Sequence, residues 1–104
     1  MKRIYTQWTP VGGTVIADML RLGVPANKKW TLVDIRPYQN DLGRFAIIVV
    51  INASPRHVIP AAPVGAVYTY NEELPGGTEL LIQANNIEGS MTAFAINVTI
   101  DEHE

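Results

Sequence analysis

Residues 45–51 read Phe-Ala-Ile-Ile-Val-Val-Ile, an apolar run with no polar side chain inside it. Side chains of a strand alternate between faces, so Phe45, Ile47, Val49 and Ile51 share one face and Ala46, Ile48 and Val50 the other. A strand of an antiparallel sandwich normally packs one face on the core and shows the other to water. This one calls for cover on both. Leaving Ile48 and Val50 wet would forgo roughly 1.5–3 kcal/mol each. Two covers fit the pattern: another part of the same chain, or a second subunit.

Elsewhere the chain alternates apolar and polar residues, the mark of half-buried strands. Ile4, Thr6 and Trp8 point one way, with Tyr5 and Gln7 the other. Pro10 and Gly12-Gly13 then stop the strand. Residues 15–22 fit a short helix ended by Gly23 or an extended segment, and the strand-like neighbours favour the extended form. After the turn Pro25-Ala26-Asn27-Lys28, residues 29–36 form a strand with Trp30 and Leu32 on one face and Thr31, Val33 and Ile35 on the other. Residues 38–43 make a polar hairpin connection. Pro55, Pro60 and Pro63 mark 53–65 as a loop holding at most an edge strand. A short aromatic strand at 66–70, a turn at 72–77, and strands at 78–84 and 91–100, joined through 85–90, complete the pattern. Phe94, Ile96, Val98 and Ile100 face inward in the last strand. The prediction is an all-β chain: a single antiparallel β-sandwich or jelly-roll domain over 1–104, of seven or eight short strands. Residues 1–10 form either its first strand or a separate N-terminal arm.

Composition excludes several functions. The chain carries 8 Lys+Arg against 10 Asp+Glu, a formal charge of −2, which opposes the basic surface that nucleic-acid binding needs. Cysteine is absent, so disulfides, thiol nucleophiles and Cys-ligated zinc are excluded. The two histidines, His57 and His103, lie in a Pro-rich loop and an acidic tail, without the clustering a metal site requires. Glu72 and Glu73 are adjacent in the expected turn and would diverge in an extended segment, unlike a hydrolytic carboxylate pair. Ser54 and Ser90 have no nucleophile elbow around them, and the Gly-Gly-Thr sequences lack a phosphate loop's lysine and spacing. The expectation is a non-enzyme with no cofactor. No secretory h-region follows Lys2-Arg3, and the longest apolar run is far too short to span a bilayer, so cytoplasmic synthesis without export is expected.

What remains is a surface short of charge: 17% charged residues against about 25% in ordinary domains. A Thr/Asn-rich β surface or an assembly interface accounts for it equally well. Tyr5 and Trp8 of the N-terminal segment suit an interface, through strand addition to a neighbour's sheet. Tyr68 and Tyr70 share one strand face and offer a stacking strip for pyranose rings, or core packing.

The stretch Val24-Pro25-Ala26-Asn27-Lys28-Lys29-Trp30-Thr31-Leu32, continuing to Ile35 and Asn40, resembles a phrase found in small β-sandwich virion proteins of tailed bacteriophages. The turn Leu74-Pro75-Gly76-Gly77-Thr78-Glu79-Leu80 before a strand and a closing hairpin is similar too. The likeness covers about residues 24–100 and is a pattern of turns and strands. It implies a structural component of the virion: a capsid decoration (cement) protein, or a tail, fibre or baseplate accessory. It also implies self-association, commonly as trimers, and binding to capsid or tail subunits, without nucleic acid or membrane. Tyr5, Trp8, Ile48, Val50, Tyr68 and Tyr70 are then the expected interface residues. A carbohydrate-binding module using surface aromatics is the alternative.

Overall fold

The computed structural model describes residues 1–13, 15–40, 45–60, 65–86 and 92–103, with backbone alone at 38–40, 45 and 92. Eight strands run in order: β1 (Lys2–Val11), β2 (Ile16–Gly23), β3 (Lys29–Asn40), β4 (Phe45–Ile51), β5 (Ser54–Ile59), β6 (Tyr68–Leu74), β7 (Glu79–Asn86) and β8 (Thr92–His103). They form two antiparallel sheets, β1-β8-β3-β6 and β2-β7-β4-β5. Only the β4–β5 connection stays within a sheet; every other one crosses between them. This is the jelly-roll order of a double-sheet sandwich. Parts of the expected connections at 38–43, 53–65 and 85–90 lie outside the described residues.

The inner faces meet in one core. Leu32, Ile35, Phe94, Ile96, Val98 and Ile100 of the first sheet and Ile47, Val49, Leu80 and Ile82 of the second are all fully buried. The alternation of β8 predicts its inward set correctly, and so does that of β4 for Ile47, Val49 and Ile51. In β3 the phase breaks. Leu32 and Ile35, expected on opposite faces, both point inward because Val33 sits in a register shift where β3 meets β6 and β8. One extra residue reverses every side chain after it. Segment 16–23 is a strand, as favoured, and the Pro-rich stretch contains the single edge strand β5. The expected turn at 72–77 shrinks to residues 75–77, since β6 continues through Glu72 and Glu73 to the buried Leu74, opposite Trp30.

The first ten residues behave as an ordinary strand in their pairing. β1 matches β8 without interruption from Lys2↔Asp101 to Val11↔Thr92.

The two phrases that carry the phage resemblance lie side by side. Gly77 N–H donates to Val24 O at 2.9 Å, and Val24 N–H donates to Thr78 O at 2.9 Å. A Cβ on Gly76 would stand 2.2 Å from the carbonyl oxygen of Ala26, so only glycine lets the turns close this far. Each turn links the two sheets, and together they clasp one end of the sandwich.

Candidate functional site

Trp8 does not fill the core. It stands 54% exposed on the outer face of the first sheet, and Ile4, on the same face of β1, is 64% exposed. Trp8 lies opposite Ala95, whose small side chain is fully buried. Between them Thr6 donates to Asn97 Oδ1 at 2.6 Å. Ile4 and Trp8 therefore form an apolar ridge along the outermost strand of the sheet.

Tyr5 points the other way and packs half-buried against the core. Its hydroxyl donates to the Glu102 carboxylate, which also lies near Arg3 Nε at 3.8 Å. Burial first, and the Glu102 charge after it, push the Tyr5 phenol above its ordinary value. Tyr5 thus helps to seat β1 on its own sheet.

The backbone of β1 has a readable parity. Met1 O accepts from Glu102 N–H at 2.8 Å, so residue 1 turns its polar groups toward β8. N–H and C=O of one strand residue point to the same side, and the side alternates along the chain. The odd residues of β1 therefore bond to β8, whereas Lys2, Ile4, Thr6, Trp8 and Pro10 direct theirs to the free edge. Pro10 has no N–H to offer and sits where the β8 ladder does not need one.

On the second sheet, Ile48 and Val50 do lie on the outer face, but only partly as expected. Val50 is 8% exposed in the single chain and needs no second subunit to cover it. The reason is topological: β4 is an interior strand, and Leu81 and Pro55 flank Val50 in the ladder. Ile48, between Gln83 and Val58, remains half-buried. Val58 and Ile16, on the same outer face, are 62% and 53% exposed.

Tyr68 and Tyr70 do not form an exposed strip. Both pack half-buried against the core from β6. The Tyr70 ring stacks on His57 at 4.5 Å between centroids, across the open side of the sandwich from β5. His57 Nε2 meets Glu72 Oε1 at 2.5 Å, and Arg56 reaches Glu72 Oε2 at 3.4 Å. Burial raises the Tyr70 phenol, and the neighbouring Tyr68 adds to the shift. This cluster ties the edge strands β5 and β6 together.

A depression of about 300 Å³ indents the outer face of the first sheet, lined by Ile4, Asp34, Arg36, Asn97 and Thr99 among others. Asp34 is 6% exposed. One carboxylate oxygen accepts from Arg36 Nη2 at 3.2 Å, and the other is buried with no hydrogen-bond partner among the described residues. Among the described residues, no group of three His, Asp or Glu side chains is gathered to hold a metal ion.

Sequence reasoning singled out Trp8 but passed over Ile4, Ile16 and Val58. Ile4 was discoverable, since it shares the face of Trp8 in the alternation. Val58 was hidden by the prolines around it, and Asp34 by the β3 register shift. No family model matches the chain, and no curated protein is similar to it at a meaningful level.

Proposed function

We propose that this jelly roll is a non-enzymatic structural protein of a tailed-phage virion, holding neighbouring capsid or tail subunits in a decoration, cement or adaptor role. The observation that carries the reading is the exposure of large apolar side chains on both outer faces: Ile4 and Trp8 on one, Val58 and Ile16 on the other. Large apolar side chains left open on both outer faces of a small domain suit a bridge between subunits. The low charge fraction and the turn phrases at 24–32 and 74–80 support the same reading. Its mechanism is burial of these faces, with no bond made or broken.

The test is binding to purified capsid shells and tails of the phage that encodes the protein, with Trp8→Ala and Val58→Asp as variants. Co-sedimentation of the parent protein, reduced in both variants, is the expected result. Protein that stays in the supernatant of both particles would refute the reading.

A carbohydrate-binding module rests on a different observation. Trp8 shares the outer face of the first sheet with Ile4, which lines the depression that holds Asp34, Arg36 and Asn97, so an exposed aromatic ring and hydrogen-bonding groups lie on one face. Glycan binding that is lost in Trp8→Ala and Asn97→Ala, with no particle binding, would favour it.

A further inference from the structure

We infer that the free edge of β1 pairs antiparallel with the same edge of a second copy, about a two-fold axis at Thr6. The inference rests on the assembly reading above and names the partner of the Ile4–Trp8 ridge.

The sandwich has four edge strands, β1, β6, β2 and β5. Unguarded edges invite pairing with other chains, and proteins blunt them with charges, prolines and bulges. Three of the four are blunted in this way. β2 carries Asp18 and Arg21 and a register shift between Asp18 and Leu20. β5 carries Pro55 and Arg56, with a shift where it meets Val49 and Val50. β6 carries Glu72 and Glu73, a shift against β3, and Asn71 in the left-handed region at φ 50°. β1 keeps such devices to its ends, in Lys2, Arg3 and Pro10, and over Ile4–Trp8 its register is unbroken and no residue carries a charge.

The edge is also complementary to itself. With Thr6 opposite Thr6 of the second copy, Ile4 falls opposite Trp8 of that copy, and Trp8 opposite its Ile4. These are even-numbered residues, so their side chains meet on one outer face while their polar backbone groups face across the junction. The two apolar pairs then flank the axis symmetrically. Paired residues of this kind exchange both hydrogen bonds. The three central pairs and the two outer Lys2–Pro10 pairs supply about eight bonds, since each proline withholds one donor. Pro10 falls at the margin of the contact, where its missing N–H costs least.

Competing registers are poorer. A slip by one residue sets even residues against odd ones, whose backbone groups are already spent on β8. A slip by two keeps the bonds but sets Ile4 against Thr6, or Trp8 against Lys2, and loses the apolar pairs. Charge is permissive as well. Lys2 of each copy lies about 27 Å from its counterpart along the strands, well beyond the roughly 8–10 Å screening length of physiological salt.

The chain has no cysteine, so single introduced thiols report the register cleanly. Opposed residues of such a pair have Cα atoms about 5.5 Å apart, within disulfide reach. Under mild oxidation Thr6→Cys should cross-link to itself, whereas Ile4→Cys should not, its two copies lying about 14 Å apart. Mixing Ile4→Cys with Trp8→Cys should yield the mixed dimer. Sedimentation velocity of the parent protein should give a dimer. Thr6→Lys, which sets two ammonium groups face to face, should weaken it at least tenfold while leaving the circular dichroism spectrum of the monomer unchanged and lowering its melting midpoint only slightly, by the loss of the exposed Thr6–Asn97 hydrogen bond. A parent protein that stays monomeric or forms a trimer overturns the inference, and so does Thr6→Cys cross-linking no faster than Ile4→Cys. A monomer that still binds virion particles through Trp8 overturns the two-fold pairing and leaves the assembly reading standing. A dimer of the stated register that binds no particle does the reverse.

Discussion

β1 and β6 bound the same sheet and are built on opposite principles. β6 is tied down: Leu74 plugs the core, Glu72 joins Arg56 and His57 of the facing sheet, and Tyr70 stacks beneath His57. Its irregular register and paired acids leave little for another strand to bond to. β1 is regular, uncharged over Ile4–Trp8, and turns its two largest apolar side chains outward. One edge closes the molecule and the other stays open, so damage at β6 should appear as lost stability and damage at β1 as lost association.

The largest effect expected on this contrast is at the closed edge. Leu74→Ala should destabilise the fold by about 2–5 kcal/mol, the usual cost of emptying a fully packed site. Trp8→Ala should change monomer stability by less than about 1 kcal/mol, because half of its surface is already wet. Urea denaturation of both variants at concentrations that keep the protein monomeric measures the difference. Equal losses would erase the distinction between the edges.

Glu72→Ala comes next. It removes the carboxylate that Arg56 and His57 share, and a loss of about 1 kcal/mol is expected, limited by the exposure of Arg56. The same denaturation series checks it.

A third effect follows from the phenols, one near each edge. Tyr5 and Tyr70 are both raised above the ordinary tyrosine value of 10.0, by burial first. The folded chain thus holds these protons more tightly than the unfolded chain does. Their contribution is complete below about pH 10 and is lost as pH climbs through the raised values. Unfolding free energy should therefore fall above about pH 10, with a shallower slope in Tyr70→Phe and in Tyr5→Phe. Denaturation at successive alkaline pH values, with tyrosinate absorbance alongside, separates the two sites.

The smallest effect is expected on β3, the interior strand beside β6. Asp34→Asn removes a buried anionic oxygen that lacks a hydrogen-bond partner among the described residues and sacrifices an ion pair to the exposed Arg36. A net gain below about 1 kcal/mol is expected, since the buried charge that is removed costs more to desolvate than a pair with an exposed arginine returns. Its melting midpoint should rise slightly.

Much of the architecture was legible where a local pattern and its burial coincide. β8 alternates cleanly, and Phe94, Ile96, Val98 and Ile100 are all fully buried. Turn chemistry located the Pro25 and Gly76-Gly77 corners, although nothing local said that they dock on each other. Misreadings cluster where tertiary pairing overrides the local signal. Val33 shifts the phase of β3, and the adjacent acids of β6 look like a turn until Leu74 is seen against the core. Asn86, in a stretch that reads as a loop, is buried and donates to Val11 O and Gly12 O, tying the end of β7 to the end of β1. The candidate site was less legible than the fold. Whether Trp8 meets core or water depends on which strand ends up outermost, and that is decided by partners far away in sequence. The doubly apolar β4 left its cover open between the chain itself and a second subunit, and its interior position supplies Val50 with cover from both sides.

The pairing of β1 with β8 also sets an order of events. Residue 2 meets residue 101 and residue 11 meets residue 92, so β1, made well before β8, has no ladder at all until β8 emerges. Until then both of its margins are bare, and its parity has no meaning. Any contact through the outer edge of β1 is thereby deferred until β8 is in place, and products truncated before β8, with β1 unmoored, should clump.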